Sequence, residues 1–118
     1  MFRFERLQVW HKAIDLFDWV DQVAEGLPGR VRFSVVDQWR RAALSVSSNI
    51  AEGTGRETQK ESSYFFSVAK GSTYEVVSIS TVCKRRNLIS AEAHRDIYVR
   101  AEEIAKMLTA LKRASKSA

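Results

Sequence analysis

Apolar side chains recur every three or four residues along almost the whole of this chain, and a single proline, Pro28, interrupts them. That spacing lays an apolar stripe along one side of a helix, whereas a half-buried strand needs alternation with a period of two. Five glycines in 118 residues are too few for the turns of a many-stranded sheet. Long helices that bury their stripes against one another are the remaining solution. A hydrophobic share of 45% supplies a core at this length, which suits a single domain over 1–118.

Four stripes can be read. The first helix covers about 6–25, with Trp10, Ala13, Ile14, Phe17, Val20 and Ala24 on one side and Asp15, Asp18, Asp21 and Glu25 off it. Leu27-Pro28-Gly29 ends it. The second covers about 35–52, opened by Ser34 as N-cap with Asp37 at the third helical position. Its stripe is Val36, Trp39, Ala43, Val46 and Ile50. Gly53 and Gly55 stop it, because glycine accepts the left-handed geometry of many helix ends. Thr58 and Glu61 form a capping box for a third helix over about 58–86, whose stripe is Phe65, Val68, Ser72, Val76, Ile79 and Val82/Cys83. Asn87 terminates it. Ser90 caps a fourth over about 91–113, with Ala93, Ile97, Ala101, Ile104, Leu108 and Leu111 inward. Residues from Ala114 onward are expected to fray. Short connections make this an all-α, antiparallel up-down-up-down four-helix bundle.

The stretch Ser45 to Arg56, SVSSNIAEGTGR, is where the polar chemistry concentrates. Gln38, Arg41, Ser45, Ser48/Asn49 and Glu52 form a second stripe on helix two, about 140° from the apolar one. Glu75 falls in the middle of the apolar stripe of helix three. A carboxylate there must find a partner, and Arg41 or Asn49 is expected to supply it. Arg41, Ser45, Asn49, Glu52, Arg56 and Glu75 thus read as a structural polar seam that fixes helix register or a subunit contact. The competing role for Glu75, a general acid or base, lacks an accompanying nucleophile or oriented histidine.

Other chemistries find little footing. His11 and His94 are isolated on different helices and read as solvated surface residues. No Glu-x-x-His pair of the di-iron bundles occurs, so neither a metal nor a cofactor is expected. Cys83 is the single cysteine, so no intrachain disulfide can form. It reads as a buried small hydrophobe, with a thiol activated by Lys84, Arg85 and Arg86 as the alternative. Gly53 to Arg56 lacks the strand and the Gly-Lys-Ser/Thr ending of a phosphate loop. The free N–H groups opening helix three, with Arg56 and Lys60 beside them, could still hold an anion.

The net charge is +5, with a pI of about 9.7. Nucleic acid is a reasonable partner for such a chain. The candidate binding residues are Arg30, Arg32 and Arg40 near the start of helix two, Lys84, Arg85 and Arg86 at the end of helix three, and Arg95, Arg100, Lys112 and Arg113 on helix four; Lys106 and Lys116 extend that run. No base-reading motif accompanies them, so contact would be to the phosphate backbone. Trp19 and Tyr74 lie off the stripes, as aromatics at subunit contacts do. The N-terminus has no signal-type apolar run and no stretch suits a membrane helix, so a cytoplasmic protein without a membrane partner is expected.

Phe4-x-x-Leu7-x-Val9-Trp10, Gln38-x-Arg40-Arg41-Ala42-Ala43, Ser45-Val46-x-x-Asn49-Ile50-Ala51-Glu52-Gly53-x-Gly55-Arg56 and Ala69-x-Gly71-Ser72-x-x-Glu75 occur in that order. In these blocks the chain closely resembles the bacterial four-helix bundle proteins encoded by intervening sequences in large-subunit ribosomal RNA genes, and their free-standing relatives. The resemblance covers about 4–110. It implies an up-down bundle, a barrel-like homopentamer and no established enzymatic activity. A more distant likeness is to the accessory variability protein of diversity-generating retroelements, which implies a basic pentamer that works with a reverse transcriptase and binds nucleic acid. Where family members often carry proline, Ser47 and Ser48 stand here, which leaves helix two unbroken. Three functions compete, in this order: a non-enzymatic oligomeric scaffold that binds RNA or DNA, a protein-interaction module serving a nucleic-acid enzyme such as a reverse transcriptase, and an enzyme built on Glu75.

Overall fold

The computed structural model describes residues 1–117, with side chains through Ser115. Among them are four α-helices and no strand: α1 Gln8–Glu25, α2 Asp37–Thr54, α3 Gln59–Arg85 and α4 Ala91–Ser117. A short 3-10 turn, Arg3–Arg6, precedes α1. Another, Gly29–Val31, and a π turn, Arg32–Val36, lead into α2. The helix α4 runs on to Ser117, past the expected end near Arg113. The side chain of Lys116 and the whole of Ala118 lie outside the described residues.

Helix ends follow the sequence signals in most places. The Thr58 hydroxyl accepts from the Glu61 N–H at 3.2 Å. Ser90 accepts from Ala93 N–H at 3.0 Å. Asn87 adopts φ 59°, the left-handed geometry that asparagine tolerates. Its N–H donates to Lys84 O at 3.0 Å, and Leu88 N–H donates to Cys83 O at 2.8 Å. That pair of bonds is the Schellman closure of a helix end.

Two expected caps fail. Ser34 does not cap α2: it sits inside the π turn, and its hydroxyl points back to Val31 O. The turn carries helical backbone straight into Asp37, so no N-terminal N–H waits for a cap. Nor do the glycines break α2 through left-handed geometry, since no glycine has positive φ. Gly53 is buried within the helix because the Phe66 ring occupies the space beside it.

The core holds Val9, Ala13, Leu16, Val20 and Ala24 from α1, and Trp39, Ala43, Val46 and Ile50 from α2. From α4 it holds Ile97, Ala101, Ile104 and Leu108. Trp39 is fully buried, and its indole N–H donates to Val76 O at 3.1 Å, which satisfies the one polar atom it carries inward. Contacts between successive helices run in opposed residue order. Arg3 meets Thr54 while Asp21 meets Arg40. Ser45 meets Ser72 while Gln38 meets Glu75. Lys70 meets Thr109 while Ser80 meets His94. The body measures 46 × 22 × 21 Å.

Helix α3 is turned from its expected phase. Its buried residues are Ser62, Phe66, Ala69, Thr73, Val76, Ser80 and Cys83. These keep steps of three and four, but lie mostly one position after the apolar stripe. Phe65, Val68, Ser72 and Ile79 are only half-buried, and Val82 is exposed. Thr73 donates to Ala69 O at 2.9 Å, so burying its hydroxyl leaves no unmet donor.

Candidate functional site

The turned phase of α3 decides where the polar seam goes. Glu75 is exposed, not core-facing, and its partner is neither Arg41 nor Asn49. The Gln38 amide donates to its carboxylate at 3.1 Å. The Asn49 amide instead donates to the Ser45 hydroxyl at 2.9 Å and to Ser45 O at 2.8 Å. Ser45 and Ser72 share a 2.8 Å hydrogen bond across α2 and α3. One turn beyond, Arg56 and Glu52 pair at 2.6 Å, and the Arg56 guanidinium lies 4.5 Å from the centre of the Phe65 ring. The seam is therefore a line of short polar contacts along the outside of the α2–α3 junction. Arg41 faces solvent on the same side and makes no hydrogen bond or ion pair among the described residues.

Among the described residues the carboxylate of Glu75 has one hydrogen-bond partner, the Gln38 amide. The groups that could have held an anion at the start of α3 are also changed, because Arg56 is drawn to Glu52 and Phe65. Among the described residues no cluster of histidine, cysteine and carboxylates has the grouping a metal ion needs.

The basic candidates divide into two sets. Arg40 meets Asp21 at 2.6 Å and Glu25 at 2.8 Å. Burial alone would lower its pKa, but the hydrogen bonds and charges of these carboxylates raise it. Arg100 lies 4.3 Å over the Trp19 ring, a cation–π contact that joins α4 to α1. Both are occupied within the fold, and Trp19 is half-buried rather than displayed. Arg30, Arg32, Lys84, Arg85, Arg86 and Arg95 are exposed. None of those six has an ion-pair partner among the described residues. Lys112 is half-buried, and Arg113 is exposed near the other end of α4.

Two features escaped the sequence. His94 is half-buried rather than freely solvated: its Nδ1 lies 2.8 Å from the hydroxyl of the fully buried Ser80. Burial, and then the charge of Lys84, hold its pKa below the ordinary histidine value. A groove of about 520 Å³ also opens between α3 and α4, lined by Lys70, Tyr74, Val77, Tyr98 and Ala105. Tyr74 and Tyr98 at matching sides of two stripes were its one sequence signal. Cys83 is buried as expected, and burial pushes its thiol pKa up, away from a reactive thiolate.

The chain matches the family model described as 23S rRNA-intervening sequence protein over residues 5–110. It belongs to the 23S rRNA-intervening sequence protein family. No curated protein matches it. In this family member the motif from Asn49 to Arg56 does three distinct jobs. Asn49 ties the seam to Ser45, Gly53 receives the Phe66 ring, and Arg56 joins Glu52 to Phe65. No helix of this intervening-sequence protein is long and apolar enough to cross a membrane among the described residues.

Proposed function

We propose that this protein is a non-enzymatic, homo-oligomeric scaffold of antiparallel up-down-up-down protomers that binds RNA or DNA through its basic surface without strong sequence preference. The opposed residue order of the interhelical contacts supports the protomer topology. Five copies per assembly is the number its family resemblance implies. A single buried cysteine suits a reducing, cytoplasmic setting.

One observation carries the nucleic-acid part. Arg30, Arg32, Lys84, Arg85, Arg86 and Arg95 stay exposed and unpaired, while other arginines are engaged inside the fold. The level at which Gln38 meets Glu75 fixes where these six stand. From it, the segment leading back to Arg30 and the end of α3 both run toward one end of the body. They outnumber the acidic residues there, Asp37, Glu92 and Asp96 together with Asp21 and Glu25, the last two of which Arg40 already pairs. Phosphates arranged along a nucleic-acid backbone suit such a set, and nothing in it reads base edges. Titration of nuclease-treated protein with labelled RNA and DNA at two salt concentrations tests this. We expect binding that weakens steeply with salt, and replacing Lys84, Arg85 and Arg86 with alanine should lower the salt slope. Affinity that is flat in salt, or absent for both polymers, would refute the proposal.

The second reading is a protein-interaction module serving a nucleic-acid enzyme such as a reverse transcriptase. The loss of Arg40 and Arg100 from the free basic set favours it. Capture of the partner that survives nuclease digestion would separate it from the first.

A further inference from the structure

Between Ser62 and Cys83, a stretch that crosses most of α3, the only charged residues are Lys70 and Glu75. Both are engaged within the protomer, Lys70 with Thr109 and Glu75 with Gln38. Yet this helix is not buried on its outer side. Tyr64 is 63% exposed, Tyr74 58% and Val82 47%. Depletion of charge with exposed tyrosine marks the centre of a protein contact, not a face kept in water.

Gly71 sits near the middle of this wall. It is exposed, has helical backbone, and an added Cβ would meet nothing within 4 Å. Glycine in an exposed helix interior is destabilising relative to alanine. Nothing inside the protomer accounts for its presence, so the close approach it permits must be made by something outside.

We infer that copies of this chain associate by laying the outer side of α2 of one copy against the outer wall of α3 of the next, with Gly71 at the point of closest approach and Arg41 pairing with Glu75 across the contact. The inference rests on the oligomeric part of the proposed function. Three observations select a second copy. Ser45 and Ser72 stand at one level of the bundle. Copies side by side in the same sense then bring Leu44 and Ser48 of one opposite Gly71 of the next. Leu44 is 51% exposed and Ser48 is small and exposed, so one side chain is available to be buried while the other allows approach. The same alignment puts Arg41, a cation without a partner among the described residues, at the level of Glu75, an anion held only by an amide. One long side of a body 46 × 22 × 21 Å also offers the ~800 Å² per partner that a stable contact buries.

Light scattering on the whole chain, with helicity followed by circular dichroism, tests the inference. Gly71→Arg should reduce the mass of the assembly to that of the monomer and keep full helicity, because the site is open in the protomer. Arg41→Glu and Glu75→Arg should each weaken assembly by about tenfold or more, since each opposes like charges at the contact. Combining the two changes in one chain should restore assembly, because every contact between copies then pairs opposite charges again. Assembly by Gly71→Arg at wild-type strength would overturn the contact and leave the oligomeric reading standing. Loss of assembly in the single charge variants without recovery in the double variant would overturn the pairing across copies. A wild-type chain that stays monomeric at every concentration would overturn both the inference and the oligomeric reading.

Discussion

The ring of Phe66 occupies the space that a Cβ on Gly53 would fill, with its Cε1 2.5 Å from that position. Phe66 is only 2% exposed, so the ring cannot swing into solvent to make room. Gly53→Ala would gain up to about 1 kcal/mol of helix propensity and lose more to the clash, because overpacking a fixed core costs about 1–3 kcal/mol. We expect a net loss of stability, read from the urea midpoint. In a Phe66→Leu background the same change should cost less, since a smaller side chain relieves the overlap. Equal losses in both backgrounds would show that the ring is not the cause.

The partial burial of His94 near Lys84 makes stability depend on pH. Its Nδ1 shares a 2.8 Å hydrogen bond with the Ser80 hydroxyl, whose direction follows the imidazole tautomer. Because the folded pKa of His94 is lowered by burial and by Lys84, the unfolded chain takes up its proton first. The stabilisation is present above the unfolded value of about 6.5 and is lost as pH falls through the folded value. Melting temperatures measured between pH 8 and pH 5 should fall more in the wild type than in His94→Gln. Parallel curves for the two proteins would rule this out.

Cys83 should be silent in the native state. Its burial shields the sulfur, and the raised pKa keeps it protonated near neutral pH. A thiol-reactive dye should label it in 6–8 M urea (a range chosen to be about enough to unfold a small domain) and react much more slowly without denaturant. Labelling at equal rates in both conditions would revive the activated thiol.

The fold was legible because α2 and α4 bury the residues their apolar spacing selects, among them Trp39, Val46, Ile50, Ile97 and Leu108. On α1 the stripe was broader than the buried line: Leu16 is fully buried while Ile14 and Phe17 are half-exposed neighbours. On α3, apolarity misled. Phe65, Val68, Ile79 and Val82 are more apolar than Ala69, Thr73 and Ser80, yet the second set is buried. Small side chains let the neighbouring helices close in, and the hydroxyls of Thr73 and Ser80 find partners at Ala69 O and His94. A hydrogen-bonded hydroxyl loses most of its penalty for leaving water. Glu75 was misplaced by that same rotation. The helical period places Ser45, Asn49 and Glu52 along one side of α2 with Arg56 just beyond its end, but their pairings depend on distances no one-dimensional pattern contains.

The Asn87 closure has a consequence for the order of events in time. It joins α3 to α4 through a turn whose bonds span only a few residues, from Leu88 back to Cys83 and from Ala93 back to Ser90. The contact between Lys12 and Glu103, 3.0 Å long, must instead wait for nearly the whole chain to be gathered. Closing a short loop loses less chain entropy than closing a long one, so the α3–α4 hairpin is the cheaper first step on the route to the native state. Stopped-flow refolding should reveal this as an asymmetry. Asn87→Val, which resists left-handed backbone, should slow folding, whereas Lys12→Ala should act mainly by speeding unfolding. On this view the contact of α1 with α4 closes only after the α3–α4 hairpin is in place.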